Sequence, residues 1–167
     1  MDLYLVRHAI AFDRDASQWP DDRERPLTEE GARRFRRVAR RLRGVVPEVG
    51  ACLSSPLARA WQTAATLQEV SGWPAPEPFA ELEPGRSASA VIRALKAREP
   101  AGSIALVGHE PGLHELASCL LLRSETSVVF ELKKGGIARL VFEGPPKAGG
   151  ARLRWLFTPG AVLGLKK

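Results

Sequence analysis

The sequence predicts an α/β layer fold with a mostly parallel sheet and antiparallel additions near the C-terminus. Three observations predict it. Short apolar runs at Leu3 to Val6, Val49 to Leu53 and Ser103 to Val107 read as buried strands. Stretches with helical spacing of apolar residues separate them, and beyond Val128 the character turns to β. With 167 residues, 44% hydrophobic and 26% charged, the chain is sized and composed as one domain, residues 1–167, and a fibrous or disordered reading is excluded.

Leu3 to Val6 runs directly into Arg7-His8, and a polar loop holding Pro20 and Pro26 follows. Ala32, Phe35, Val38, Ala39 and Leu42 then recur at helical spacing after Thr28, a good N-cap ahead of Glu29 and Glu30. This helix is expected to end near Gly44. Ser54-Ser55-Pro56 reads as a cap and helix start, which puts Arg59 in the first turn of a helix reaching about Val70. A Pro-rich connection leads through a short strand near Phe79 to Glu81 and Glu83.

Ser87 or Ser89 caps the next helix, with Val91, Ile92 and Leu95 on its stripe. Ser103 to Val107 ends in Gly108-His109, repeating the placement of His8, and Pro111 starts a helix carrying Leu113, Leu116, Ala117 and Leu120. Val128 to Leu132 and Ile137 to Phe142 flank Lys133-Lys134-Gly135-Gly136, which reads as a hairpin turn, and Leu153 to Phe157 as a further strand.

Ligands of open α/β sheets bind outside the carboxyl ends of the strands. His8 and His109 are both predicted there, with Arg7 beside the first and Arg59 at a helix N-terminus that itself favours anions. The net charge of +6, with 19 of 25 basic residues arginine, also favours anionic partners.

Four blocks in order carry a resemblance: Leu3 to Ala9 with its Arg7-His8 pair, Arg25-Pro26-Leu27-Thr28-Glu29-Glu30-Gly31, Ser54 to Thr63 around Arg59, and Leu106-Val107-Gly108-His109-Glu110-Pro111-Gly112-Leu113. The sequence resembles the histidine phosphatase superfamily, and within it the short SixA-like phosphohistidine phosphatases. Ala9 stands where the family signature has Gly, and Glu110 where relatives carry other polar residues. The resemblance implies a three-layer α/β/α, phosphoglycerate mutase-like fold and a hydrolase with no cofactor. A chain of 167 residues leaves little room for a lid, so an open site suited to a protein-borne phosphate is expected.

The chemistry agrees. A neutral imidazole is a competent nucleophile near pH 7, so His8 is expected to form a phosphohistidine intermediate. Arg7 and Arg59 would clamp the phosphoryl oxygens, His109 would donate to them, protonated in the loaded site, and Arg25 would close over the same group. Glu81 and Glu83 are alternative general acids. The expected substrate is phosphohistidine on a signalling protein, with small phosphomonoesters or a phosphoglycerate mutase-like reaction, or a non-enzymatic phosphate-binding module, as alternatives.

Other readings find less support. His109 and His114 are five apart where a zinc helix motif needs four, so no metal site is expected, and His114 reads as structural or at the pocket rim. Phosphate-loop, dinucleotide and serine-hydrolase motifs are absent. No apolar run approaches the roughly 18 residues of a membrane helix. With Cys52 and Cys119 expected reduced and buried, a cytoplasmic location follows. Seven arginines between Arg33 and Arg43 form a solvated helix face or a surface for an acidic phosphoprotein, and with low aromatic content and no nucleic-acid motif they suggest no nucleic-acid partner.

Overall fold

The computed structural model describes residues 1–46, 48–96, 102–124 and 130–164. The elements in chain order are β1 (Asp2–Arg7), α1 (Glu29–Leu42), β2 (Ala51–Ser54), α2 (Ala58–Ser71), β3 (Pro76–Pro78), a 3-10 turn (Ala80–Leu82), α3 (Ala88–Lys96), β4 (Ser103–Gly108), α4 (Gly112–Leu122), β5 (Ile137–Phe142), β6 (Ala151–Phe157) and α5 (Pro159–Gly164). One six-stranded sheet has the order β3-β2-β4-β1-β5-β6. The first four of these neighbours pair in parallel, while β5 runs antiparallel to both β1 and β6.

The sheet separates two cores. Tyr4 and Val6 point into one, built with Phe35 and Val38 of α1 and Leu67 of α2, whereas Leu3 and Leu5 point into the other, with Val91 of α3 and Leu116 of α4. This alternation follows from the two-residue period of a strand, and burial on both faces explains why Leu3 to Val6 of β1 are all apolar. The result is the three-layer α/β/α architecture with antiparallel C-terminal strands.

Helix α1 starts where Thr28 predicts, its side chain accepting from Gly31 N at 2.9 Å. Gly31 packs on the loop leaving β1, where an added Cβ would lie 2.1 Å from Ile10 O. Any side chain there would push the Arg25 to Gly31 block off the strand that carries the site.

Three expectations need correction. No hairpin turns at Lys133 to Gly136: residues 128 and 129 lie outside the described residues, 130–132 are in no strand, and β5 pairs instead with β1 and β6. The turn grips the end of β1, Gly135 N donating to Arg7 O at 3.1 Å and His8 O at 3.0 Å, and Gly135 has φ 76°, a conformation that glycine adopts without penalty. Helix α2 starts at Ala58 with no side-chain cap, because its N-cap residue is Leu57, whose side chain has no acceptor. Cys119 is only half-buried, since it lies off the Leu113, Leu116, Leu120 stripe, while Cys52 is buried. Among the described residues no helix is long and apolar enough to cross a membrane.

Candidate active site

Insertion of β4 between β1 and β2 brings three strand ends side by side. Arg7 pairs with Gly108, His8 N donates to Gly108 O at 3.0 Å, and Ser55 N donates to Val107 O at 2.9 Å. His8, Ser55 and His109 therefore follow three adjacent strands, and the two imidazoles face each other with ring centroids 5.1 Å apart. The 101 positions from His8 to His109 are bridged by one parallel pairing.

His8 is buried, and its Nδ1 lies 2.7 Å from Ala9 O. A carbonyl only accepts, so Nδ1 carries the proton and Nε2 keeps a lone pair. Burial, opposed by the Ala9 carbonyl and aided by the charges of Arg59, Arg7 and Lys134, pushes the His8 pKa down to about 4. At neutral pH the ring is unprotonated, as nucleophilic attack requires. The loop is fixed by Thr63 on α2, whose hydroxyl accepts from Ala9 N at 3.0 Å and donates to Arg59 O at 2.7 Å.

His109 Nε2 lies 2.9 Å from Ser55 Oγ, which also accepts from Leu57 N. With the Ser55 hydroxyl donating to Nε2, the ring proton sits on Nδ1, which is buried without an acceptor. Burial first, then the nearby His8 and Arg59, push the His109 pKa down to about 3, with Asp22 opposing. At neutral pH it is a neutral donor, and a phosphoryl group's charge would oppose that shift.

Arg59 sits in the first turn of α2 and is 2% exposed. Its two Nη atoms bond Asp22, Nη1 to the carbonyl at 2.7 Å and Nη2 to Oδ2 at 3.0 Å, leaving Nε buried without an acceptor. Arg7 is held by Leu132 O at 2.9 Å through Nη1, and its Nε is likewise buried and unpartnered. Arg25 is buried, not solvated, its Nε 2.7 Å from Asp22 Oδ1 and Nη1 2.5 Å from Phe12 O. Burial raises the Asp22 pKa, but the hydrogen bond from Arg25 and the charges of Arg59, Arg25 and Arg14 outweigh it and leave the carboxyl below its ordinary value.

Glu81 and Glu83 line a small concavity with His109, and Glu83 is ion-paired to Arg23. His114 is structural, half-buried against Phe130 with Nδ1 3.1 Å from its carbonyl. Asp22 and Ser55 are the functional residues that sequence reasoning missed as such. Asp22 lies in a loop without periodicity, where only its spacing of three from Arg25 hints at pairing, and Ser55 looked like a helix cap.

The buried histidines have a consequence for stability. Both are harder to protonate folded than in a chain with an ordinary histidine pKa of 6.5, so below that pH the unfolded state binds more protons. Stability is expected to be flat above pH 6.5 and to fall as pH drops, the loss levelling off below about 4 for His8 and about 3 for His109. Urea titrations from pH 8 to pH 4 check this. A His8→Asn, His109→Asn double variant should lose most of the slope between pH 6 and pH 4.

A strand-end imidazole with a free lone pair, flanked by buried guanidinium and imidazole donors lacking acceptors, defines a site for phosphoryl transfer through histidine. The comparisons agree. The sequence model of the histidine phosphatase superfamily (branch 1) matches residues 3–87. An uncharacterized protein of Picosynechococcus sp. is 37% identical over 156 residues, 92% of this chain and 89% of its own. The structure of the protein histidine phosphatase SixA complexed with tungstate matches with a TM-score of 0.79 at 28% identity, covering 96% of this chain and 98% of that one. A putative phosphohistidine phosphatase SixA of Nakamurella multipartitia matches at 0.77 and 26%, covering 95% of each chain. This chain belongs to the histidine phosphatase superfamily and has its SixA-like, phosphoglycerate mutase-like fold.

Proposed function

We propose that this protein is a phosphohistidine phosphatase that takes its phosphoryl group from a histidine-phosphorylated signalling protein. One observation carries the reading: Arg7 Nε, Arg59 Nε and His109 Nδ1, all buried without an acceptor, belong to the residues around the His8 ring. Buried donors are almost always satisfied, so these call for a ligand with several acceptor oxygens, as a phosphoryl group has. The SixA structure with tungstate supports the choice of a tetrahedral oxyanion. Nearly end-to-end coverage with SixA supports a single domain over residues 1–167 without an added lid.

In the first step His8 Nε2 attacks phosphorus, the new N–P bond forms, and the bond to the substrate nitrogen breaks with its electron pair leaving on that nitrogen. Arg7, Arg59 and His109 donate to the equatorial oxygens, and Asp22 positions Arg59 and Arg25 at the rim. Water then attacks phosphorus, returning the electron pair to His8 and releasing phosphate. Since Glu83 is committed to Arg23, we assign Glu81 to deliver the leaving-group proton and to take one from the attacking water. The buried free thiol of Cys52 supports a cytoplasmic setting.

Phosphate release from a phosphohistidine peptide and from para-nitrophenyl phosphate, compared in one assay, tests the substrate class. The peptide should be turned over with the higher kcat/KM. Activity confined to the monoester, or transfer to a monophosphoglycerate acceptor, would move the substrate to small metabolites, and binding without turnover would leave an anion-binding module. Glu81→Gln should slow a phosphoserine peptide, whose alkoxide needs the proton, about tenfold or more, and the phosphohistidine peptide less. Equal slowing of both would remove Glu81 from the proton path.

A further inference from the structure

Helix α1 carries far more positive charge than its own ion pairs absorb. Arg36 is held bidentately by Glu69 at 2.6 and 2.7 Å. Arg33, Arg34, Arg37, Arg40 and Arg43 are exposed and have no ion-pair partner among the described residues. Like charges four apart, as at Arg33 and Arg37 or Arg36 and Arg40, repel along a helix. A plain solvated face would gain by alternating its signs.

The charge also has a direction. A groove of about 560 Å³ is lined by Arg7, Lys133, Lys134 and Arg34, and a second concavity of about 430 Å³ by Arg34, Arg33 and Arg37. The two share Arg34, and the first shares Arg7 with the active site. Lys134 is close enough to depress the protonation of His8. A basic track thus leads from the phosphoryl site to the middle of α1.

We propose that this track docks an acidic polypeptide segment of the phosphorylated protein, placed beside its phosphohistidine. This rests on the protein-substrate reading above. A peptide fits better than a nucleic acid for two reasons. The track offers no aromatic side chain on which a base could stack, Phe35 of α1 being buried. Glu30 and Glu131 interrupt it, which suits separate carboxylates over a continuous phosphodiester.

The test uses two phosphohistidine peptides of equal length, one flanked by Asp and Glu, the other by Ser and Gln. At low ionic strength the wild type should favour the acidic peptide about tenfold in kcat/KM, through KM, and added salt should erase the preference. In Arg33→Glu, Arg37→Glu the preference should shrink to within about twofold, with para-nitrophenyl phosphate hydrolysis and Tm maintained. Both positions are exposed on α1 and have no ion-pair partner among the described residues, so the variant is expected to keep the fold.

Equal turnover of the two peptides by the wild type, or a preference that survives reversal, would overturn the proposal. Fluorescence anisotropy of the unphosphorylated acidic peptide reads the surface independently of turnover. Binding that the reversal weakens, with no cleavage of either phosphopeptide, would retain the surface and defeat the substrate reading instead. A single-stranded RNA that binds the wild type more tightly than the acidic peptide, and is lost in the variant, would make the track a nucleic-acid surface and overturn the proposal.

Discussion

His8→Ala is expected to lower kcat by about 10⁴-fold or more on every substrate, because the covalent path disappears with the Nε2 lone pair. No neighbour can take over. The Ser55 hydroxyl is bonded to His109, and His109 Nε2 is bonded to Ser55 in return. Cys52 lies in β2, and burial, with a contribution from Glu77, pushes its thiol up to about 12, so it supplies no thiolate at neutral pH. The measurement pairs phosphate release with trapping of the phosphoenzyme from a labelled donor. Wild type should yield an acid-labile, base-stable phosphoramidate on the peptide containing His8, and the variant none. A variant that still forms it would place the nucleophile elsewhere. The pH profile gives a second check: His8 loses its lone pair as pH falls through about 4, so kcat/KM should hold from pH 8 to about 5 and drop below.

The parts of this site that were legible in the sequence are those that periodicity and strand ends announce. A four-residue apolar run buried on both faces reads as a central strand, and β1 and β4 each deliver a histidine immediately beyond their last paired residues. Arg59 was placed by a helix start, even though α2 begins two residues past the expected proline. The pairing of β1 with β4, which brings His8 to His109, is a long-range fact that spacing alone does not contain. The shared site was expected only from the rule that open α/β sheets bind ligands at the carboxyl ends of their strands.

What stayed hidden depends on where side chains find hydrogen-bond partners across the fold. Asp22, Arg25 and Arg59 form one ion-paired cluster, yet 34 positions separate Arg25 from Arg59, and little beyond its spacing from Arg25 distinguishes Asp22 from Asp21. The Lys133 to Gly136 segment has hairpin composition, but its Gly135 amide is spent on the carbonyls of Arg7 and His8. Short α5 went unread because its Pro159 to Gly164 composition looks like loop, and the helix forms only against α1 and β6.

Arg59→Ala is expected to reduce kcat/KM by about 10³-fold, about 4 kcal/mol of transition-state stabilisation, and to do so equally on protein and small-molecule substrates. The size follows from burial. The guanidinium is 2% exposed, and its protonation is opposed by burial and by Arg25, with Asp22 compensating. Such a cation is worth much more to a developing anion than a solvated one, because little water screens it. Asp22 holds both Nη atoms and leaves Nε unpartnered, so in the proposed mechanism Nε is the donor left for a phosphoryl oxygen. Lysine in its place offers a point charge but no fork for Asp22, so Arg59→Lys should recover at most about a tenth of the loss. The fold should survive, since Asp22 is 38% exposed at its side chain and keeps Arg25 as a partner. Product inhibition by inorganic phosphate supplies the binding arm of the test: the inhibition constant should rise in step with the fall in kcat/KM. Unchanged phosphate inhibition would mean that Arg59 serves only to anchor the loop around Asp22, and the phosphoryl clamp would then rest on Arg7 and His109.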